Sequence, residues 1–364
     1  MYEQEFQGDV LYTMLYAGVT VLNLVACCYL LLRRGNAIAP DVVSPAGLRR
    51  WTAAFLGACT LSHLWYMPLI YLTSSEDIMM LYFVCALFDF MTIFPLAIAV
   101  LFTMLQDRRR PLWTIALMMA PIVAGMLVCI ATRSDAILPA LYAYYLLLII
   151  GIIIYMVREV RQYGRWLRDN YADLEHKEVW QSLVVLAIIL LGFSFYAFEL
   201  QGLFYKYAAQ VNAIILTCFL VWRVETLSDL QPLTVSPEGE RPEASPRGGR
   251  KGVDLLLQRH CIDEQLYLQH DLTLPQLAKA IGTNRFYLSQ YFSRQGTTYN
   301  AYINGLRIDH FVSLYRQAVA VKEHFTVQQL ANDSGYRSYS TFNLAFKQRM
   351  GQTVNAWTKL QNWQ

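Results

Sequence analysis

The stretch TLPQLAKAIG at residues 273–282 is followed 53 residues later by a similar stretch, TVQQLANDSG, at residues 326–335. In each copy a threonine is followed three residues later by a glutamine, which is the pattern of a helix-capping box. Leucine and alanine follow at positions that would face a core, and the closing glycine supplies the left-handed residue that commonly ends a helix. Each copy therefore predicts a short helix whose start and end are both encoded locally.

A second helix is predicted after each glycine. Asn284 and Ser338 are residue types that favour the N-cap of a helix. Apolar side chains then recur four residues apart, at Leu288 and Phe292 in the first copy and at Phe342 and Phe346 in the second. Each copy thus predicts a helix-turn-helix, whose second helix fits a DNA major groove. One copy alone would equally suit a helical hairpin of an all-α domain, but two copies in register favour DNA binding.

The two copies belong to a longer pattern that also includes the helical stretch between them. Its residues are Leu277-Ala278, Leu288, Phe292, Gly296, Arg307-Ile308, Leu330-Ala331, Gly335-Tyr336, Phe342, Phe346-Lys347 and Gly351. This pattern resembles the DNA-binding domain of the AraC/XylS family of bacterial transcription regulators, over about a third of the chain. The resemblance implies that the second helix of each copy binds double-stranded promoter DNA. It also implies RNA polymerase as a partner.

The resemblance also implies which side chains contact DNA, by their positions in this sequence. They are Arg285, Phe286, Ser289, Gln290 and Arg294 in the first copy, and Tyr339, Ser340, Asn343 and Lys347 in the second. Leu344 stands where the family often has a basic residue, which predicts weaker base reading by the second copy. Val354 replaces a proline that is usual there. Residues 253–364 carry 11 Lys/Arg against 7 Asp/Glu, a net charge of +4 that suits a polyanionic partner.

The first 230 residues hold the excess of apolar side chains in a chain that is 55% hydrophobic. Seven long apolar stretches lie there: Leu11–Leu32, Trp51–Leu72, Ile78–Leu105, Leu112–Ala131, Ile137–Val157, Val179–Leu200 and Leu203–Trp222. Each has about the 20 residues that a helix needs to cross a bilayer. One such stretch could be a buried core helix, but seven in series predict a seven-helix membrane domain over residues 1–230. The expected fold is therefore all-α.

Basic residues mark alternate joins between these stretches. The odd joins carry Arg33, Arg34, Arg49, Arg50, Arg108, Arg109, Arg110, Arg158, Arg161, Arg165, Arg168 and Lys177. The even joins carry only Arg133, and the N-terminal tail has no Lys or Arg. Because basic loops stay in the cytoplasm, the N-terminus is predicted outside and the C-terminal domain in the cytoplasm. The expected location is the inner membrane, crossed several times.

Two segments outside the apolar stretches have their own patterns. Residues 231–252 are rich in proline and glycine, which predicts a flexible linker ahead of a DNA-binding domain at 253–364. The fifth join, Arg158–Glu178, repeats apolar residues at helical spacing: Val160, Tyr163, Leu167, Tyr171 and Leu174. This join either extends the fifth crossing and packs on a partner, or lies among the lipid headgroups.

The sequence offers no chemistry of catalysis. The seven cysteines lack metal-ligand spacing, and no phosphate loop or catalytic signature is present. We therefore expect no enzyme activity, no metal and no cofactor. Asp89 and His63 lie deep in predicted crossings, where polar groups are costly unless they face the bundle interior. They are candidates for sensing a signal ligand, although interhelical hydrogen bonding would explain them equally.

These observations together predict a membrane-anchored transcription regulator that senses a signal in or across the bilayer. A homodimer is one arrangement that the sequence allows. Two alternatives stay open at this point. One is a transporter or membrane enzyme whose C-terminal domain only regulates or docks it. The other is a receptor whose helical domain binds protein and has lost DNA binding.

Overall fold

The computed structural model describes residues 10–33, 35–40, 42–108, 110–180, 203–230, 249–321 and 324–361. Within these ranges the regular elements are helices. One isolated antiparallel β-bridge is also present, between Tyr171 and Thr273. The all-α prediction is therefore confirmed. The chain divides into two compact units: Met1–Tyr163 with Val179–Pro232, and Gly164–Glu178 with Leu233–Gln364. They are called the N-terminal unit and the C-terminal unit below.

The N-terminal unit is built from long helices. They are α1 (Val10–Leu32), α2 (Ala46–Trp65), α3 (Ser75–Met104), α4 (Trp113–Thr132), α5 (Leu138–Asn170) and α6 (Leu203–Thr226). The residues of α5 from Gly164 onward belong to the C-terminal unit. Among the described residues, five of these are long and apolar enough to cross a membrane, namely all but α2. These five coincide with the first, third, fourth, fifth and seventh predicted crossings, as expected for a multi-pass membrane domain. The sixth prediction falls almost entirely on residues 181–202, outside the described ranges.

The helix at the second predicted crossing begins and ends earlier than the sequence predicts. It was expected at Trp51–Leu72, but α2 starts at Ala46 and ends at Trp65, followed by a short 3-10 turn at Met67–Tyr71. Pro68 contributes to the early end, because proline lacks the backbone N–H that would bond to the carbonyl four residues earlier in a continuing α-helix. Helix α2 also includes Arg49 and Arg50, which make it more polar than its neighbours.

Polar contacts join helices inside the N-terminal unit. Helix α2 packs against α1, α3 and α6. The Thr217 hydroxyl of α6 donates to Asn23 Oδ1 of α1 at 2.6 Å. At the end of α6 the Glu225 carboxylate accepts hydrogen bonds from the Tyr29 hydroxyl and from the backbone N–H groups of Ala37 and Ile38. This carboxylate ties the α1–α2 join to α6.

The C-terminal unit contains both repeat copies. Helix α7 (Gly249–Leu256) continues as a π-helical turn (Leu257–Asp263), and a 3-10 turn follows (Leu266–Leu268). The later helices are α8 (Leu274–Ala280), α9 (Arg285–Arg294), α10 (Tyr299–Val321), α11 (Val327–Asp333), α12 (Tyr339–Met350) and α13 (Val354–Gln361). Helix α7 includes the last four residues of the predicted linker. The remainder of that linker, residues 231–248, lies outside the described ranges.

The predicted helix starts are present in both copies. In the first, Thr273 accepts a hydrogen bond from the Gln276 backbone and its own N–H donates to Gln276 Oε1 at 2.8 Å, which completes the capping box. In the second, Thr326 Oγ1 accepts from Gln329 N at 3.1 Å, and only this half of the box forms. Gly282 and Gly335 follow the two helices with φ of 69° and 87°, in the left-handed region. The prediction that these two glycines end the first helix of each copy is thus confirmed.

Helix α10 carries a buried cation that joins the two copies. Arg307 is only 1% exposed, and burial lowers its pKa from the ordinary value. Its Nε donates to Tyr267 O and its Nη2 donates to Gln269 O, both at 2.7 Å. The guanidinium also lies 5.5 Å from the centre of the Tyr336 ring. Arg307 therefore binds the segment before the first copy and stacks on the second.

Candidate nucleic-acid interface

Each copy turns one face of its second helix into a core and the other toward solvent. In α9, Leu288 and Phe292 belong to a core with the α7 and α8 side chains. In α12, Phe342 and Phe346 pack in a second core around Phe311. Helices α9 and α12, called the recognition helices below, are held rigidly from one side.

All nine predicted DNA-contacting residues lie in the recognition helices and reach the surface. Phe286, Gln290, Arg294, Ser340 and Lys347 are exposed, and Arg285, Ser289, Tyr339 and Asn343 are half-buried. Phe286 is 70% exposed, which is unusual for a large apolar ring. Tyr339 has a second role, because its ring packs on Phe342 in the second core.

The N-caps of the two recognition helices differ. Asn284 Oδ1 accepts from Tyr287 N at 2.9 Å, as the sequence predicts. Ser338 occupies the N-cap of α12 but makes no such bond to the backbone. Its hydroxyl lies 2.7 Å from the Ser340 hydroxyl instead. The reason is a carboxylate at the start of α12, which competes for these hydroxyl groups.

That carboxylate comes from residues 169–178, which we call the acidic loop. It includes Asp169, Asp173, Glu175 and Glu178 and belongs to the C-terminal unit. Ala172 anchors it in the first core, with 1% exposure. The Ala172 N–H donates to Leu272 O at 3.3 Å, and its carbonyl accepts from Asn300 Nδ2 at 2.7 Å and from Asn304 Nδ2 at 3.0 Å.

Glu175 of the acidic loop contacts the first turn of α12. The Ser340 hydroxyl donates to Glu175 Oε1 at 2.9 Å, and the Thr341 hydroxyl donates to Oε2 at 3.1 Å. Burial raises the pKa of this carboxyl, but hydrogen bonds from Ser338, Ser340 and Thr341 outweigh burial and hold the pKa below its ordinary value. Asp173 is also within 3.4 Å of the Thr341 hydroxyl. The second recognition helix is therefore in contact with a negatively charged segment of its own chain.

The same loop acts electrostatically on the start of the first recognition helix. Burial lowers the pKa of Arg285, while the neighbouring Tyr171 and Asp169 raise it. Burial also raises the pKa of Asp169, and Arg285 is among the cations that oppose this change. Burial raises the pKa of Tyr171 to about 12. Asp169 and Tyr171 thus act electrostatically on the Arg285 guanidinium.

The structure shows which unit the end of the fifth join belongs to. Helix α5 extends beyond the predicted crossing to Asn170, and Leu167 and Tyr171 are buried. The expected helical face ends there, so Tyr171 and Leu174 lie after the helix and not on it. Residues 164–178 pack within the C-terminal unit. A run of carboxylates in an otherwise basic join was the one available signal, and sequence reasoning did not use it.

The two candidate sensing residues have separate partners. Asp89 Oδ1 accepts from Trp65 Nε1 at 3.1 Å, and the carboxylate also bonds the Ser62 and Tyr66 side chains. His63 Nδ1 lies 2.8 Å from Cys59 O, and its Nε2 lies 3.3 Å from Gln210 Oε1. Each residue thus has interhelical contacts of its own, and their sensing role stays a prediction. In the described part of the chain, no group of three or more His, Cys, Asp or Glu could hold a metal ion.

Comparison with known proteins identifies the C-terminal part. Residues 277–359 match the family described as "Helix-turn-helix domain". The matched region contains both recognition helices and α10 between them. No curated protein and no solved structure matches the chain. The chain therefore carries an AraC-type helix-turn-helix DNA-binding domain, preceded by long apolar helices.

Proposed function

We propose that this protein is a membrane-anchored regulator that binds promoter DNA in a sequence-specific manner. The observation that carries the proposal is the pair of recognition helices, each supported by its own core and exposing polar side chains. Glutamine and asparagine can bond adenine in the major groove, and arginine can bond guanine. We assign these roles to Gln290, Asn343 and Arg285. Arg294 and Lys347 lie further along the helices and suit phosphate contacts.

The membrane part of the proposal concerns anchoring and orientation. Five apolar helices in the described residues support an inner-membrane anchor. We propose seven crossings, with the N-terminus outside and residues 253–364 in the cytoplasm, where DNA and RNA polymerase are found. The bundle would receive a signal through side chains such as Asp89 and His63. The basic odd joins support this orientation.

Binding of genomic DNA tests the function. The full chain in lipid nanodiscs should retain a subset of sheared bacterial genomic fragments. Its affinity should fall with salt, with a log–log slope of about 0.9 per phosphate neutralised. Gln290→Ala should cost about 1–3 kcal/mol at one base-pair position of the retained site and little elsewhere. Binding is measured by fluorescence anisotropy on single-base variants of that site.

The matched control is Gln317→Ala, the same substitution at an exposed position of α10. It should leave affinity and sequence preference unchanged. If Gln290→Ala weakens all sequences equally, Gln290 contacts only the DNA backbone. If the wild type retains no fragment even at low salt, the docking or receptor alternatives gain and the regulator proposal fails.

Reporter fusions test the orientation. A reporter that is active only in the cytoplasm should be active when fused after Arg110 or Trp222, and silent when fused at Ser75. The reason is that Arg108, Arg109 and Arg110 precede one site while the region of Ser75 has no basic residue near it. Enzymatic activity in cells with matched expression is the measurement. The opposite pattern would place the DNA-binding domain outside the cytoplasm and contradict the proposal.

A further inference from the structure

The acidic loop binds groups that the DNA itself would need. We propose that residues 169–178 form an intramolecular cover of the recognition helices, which duplex DNA displaces when it binds. The inference rests on the function proposed above, because it deepens the account of the same surface. It makes the loop between α5 and the sixth predicted crossing a regulator of DNA affinity.

The contacts at the second recognition helix show the competition most directly. Ser340 and Thr341 occupy the first turn of α12, and both hydroxyls donate to the Glu175 carboxylate. A hydroxyl that donates to a carboxylate is not free to donate to a phosphate or a base edge. The carboxylate also resembles a phosphate oxygen pair, and the partial positive charge at a helix N-terminus favours either anion. Glu175 and DNA therefore compete for one place.

A weaker, electrostatic influence of the loop acts at the first recognition helix. Arg285 is the first residue of α9 and is half-buried, and Asp169 and Tyr171 act on its guanidinium electrostatically. An arginine that reads guanine must present its planar fork to the groove. Electrostatic attraction to Asp169 therefore adds to the cost of presenting Arg285 to the groove. One short loop thus contacts the start of the second recognition helix and acts electrostatically on the start of the first.

Further contacts hold the cover in a defined position, but it leaves part of the DNA-binding surface exposed. Lys177 Nζ lies 3.4 Å from Asp271 Oδ1, in addition to the anchoring of Ala172 in the first core. Phe286, Gln290 and Lys347 stay exposed beside the covered groups. DNA can therefore reach part of the surface first and compete for the covered part afterwards. Displacement needs the carboxylates to leave, but it does not need the core to open.

The position of the loop in the chain gives the cover a regulatory use. The loop begins with the last two residues of α5 and directly precedes the sixth predicted crossing. A rearrangement of these segments would change how well the loop fits the recognition helices. A signal received in the membrane domain could then alter DNA affinity without any change in the DNA-contacting residues themselves. The two states differ in affinity because only one leaves Ser340, Thr341 and Arg285 available.

Removal of the loop carboxylates in the full chain tests the cover. We expect Glu175→Ala, and Asp169→Asn combined with Glu175→Ala, to bind the retained genomic site at least about tenfold more tightly than wild type. A tenfold gain corresponds to a cover that is closed about nine-tenths of the time. The Kd is measured by anisotropy with the protein in nanodiscs of fixed lipid composition.

The charge-matched control is Glu264→Ala. It removes one exposed carboxylate from the same unit, where Glu264 contacts His260 and not the recognition helices. Its effect on Kd should stay below about twofold, which is the size expected from a change in net charge alone. A gain as large as that of Glu175→Ala would mean that general electrostatics, and not the cover, sets the affinity, and would overturn the inference.

Hydrogen exchange supplies a readout that does not depend on any substitution. DNA added to the wild type should increase exchange at residues 173–178 and decrease it in the first turns of α9 and α12. Unchanged exchange in the loop, or variants that bind like wild type, would overturn the cover and leave the proposed function standing. If wild type and variants all fail to bind genomic DNA, both the function and the cover are wrong.

Discussion

Arg307→Leu is expected to lower the free energy of unfolding of the C-terminal unit by about 3–5 kcal/mol. The substitution removes two charge-assisted hydrogen bonds and leaves the buried carbonyl of Tyr267 and the carbonyl of Gln269 without those donors. It also removes the stacking on Tyr336. Each lost bond to a charged group is worth about 1.5–3 kcal/mol, so the sum is large for one residue. Arg307→Lys should recover only part of it, because an ammonium cannot reproduce the guanidinium fork.

Pulse proteolysis in urea measures this change in the full chain in nanodiscs, with a C-terminal tag to follow the unit. The control is Arg316→Leu, the same substitution nine residues later on α10 at an exposed position. It should shift stability by less than about 0.5 kcal/mol. Equal effects of the two substitutions would show that Arg307 is not the link between the copies.

Much of the C-terminal fold could be predicted because its signals are local. Thr273, Gln276 and Gly282 lie within ten residues of each other, and their bonds follow from helix geometry alone. The apolar spacing of Leu288 and Phe292 likewise predicts which face is buried. In the N-terminal unit, the length and composition of six of the seven apolar stretches predict helices that the described residues contain, and most ends fall within a few residues of the prediction. The exceptions are α2, which begins and ends five to seven residues early, and the end of α5, which lies at Asn170 instead of Val157.

The missed features depend on contacts between residues far apart in the chain. Glu175 meets Ser340 across 165 residues, and no periodicity connects a carboxylate in one join with a hydroxyl on a distant helix. Arg307 was recognised as part of a family pattern, but its role in binding Tyr267 O is visible only in three dimensions. Ser338 has the right residue type for an N-cap, and its hydroxyl turns to Ser340 because of that distant carboxylate. Local rules predict elements, while tertiary contacts decide how they are used.

Gly335→Ala is expected to cost more than the same change at Gly282, although both glycines end the first helix of a copy. Both have φ in the left-handed region, where a side chain costs about 1–2 kcal/mol. At Gly335 a Cβ would also lie 2.8 Å from Leu268 O, 2.9 Å from Leu268 Cα and 3.1 Å from Arg307 Nε. Overpacking of this kind typically costs a further 1–3 kcal/mol or so. We therefore expect a loss on the order of 3–4 kcal/mol at Gly335.

Gly282 provides the matched control for this prediction. A Cβ there meets nothing within 4 Å, so Gly282→Ala should cost only the conformational part, about 1–2 kcal/mol. The difference between the two variants isolates the approach of Leu268 and Arg307 to the second copy. Urea midpoints from pulse proteolysis of both variants, at equal protein concentration, give that difference. A further test combines Arg307→Leu with each glycine variant. If Arg307 is the obstacle to the new Cβ, the difference between the two glycine variants should disappear in this background; if Leu268 is the obstacle, the difference should remain. Because two of the three close atoms belong to Leu268, we expect most of the difference to remain. Equal costs for the two glycines would mean that the copies are not packed together at Gly335.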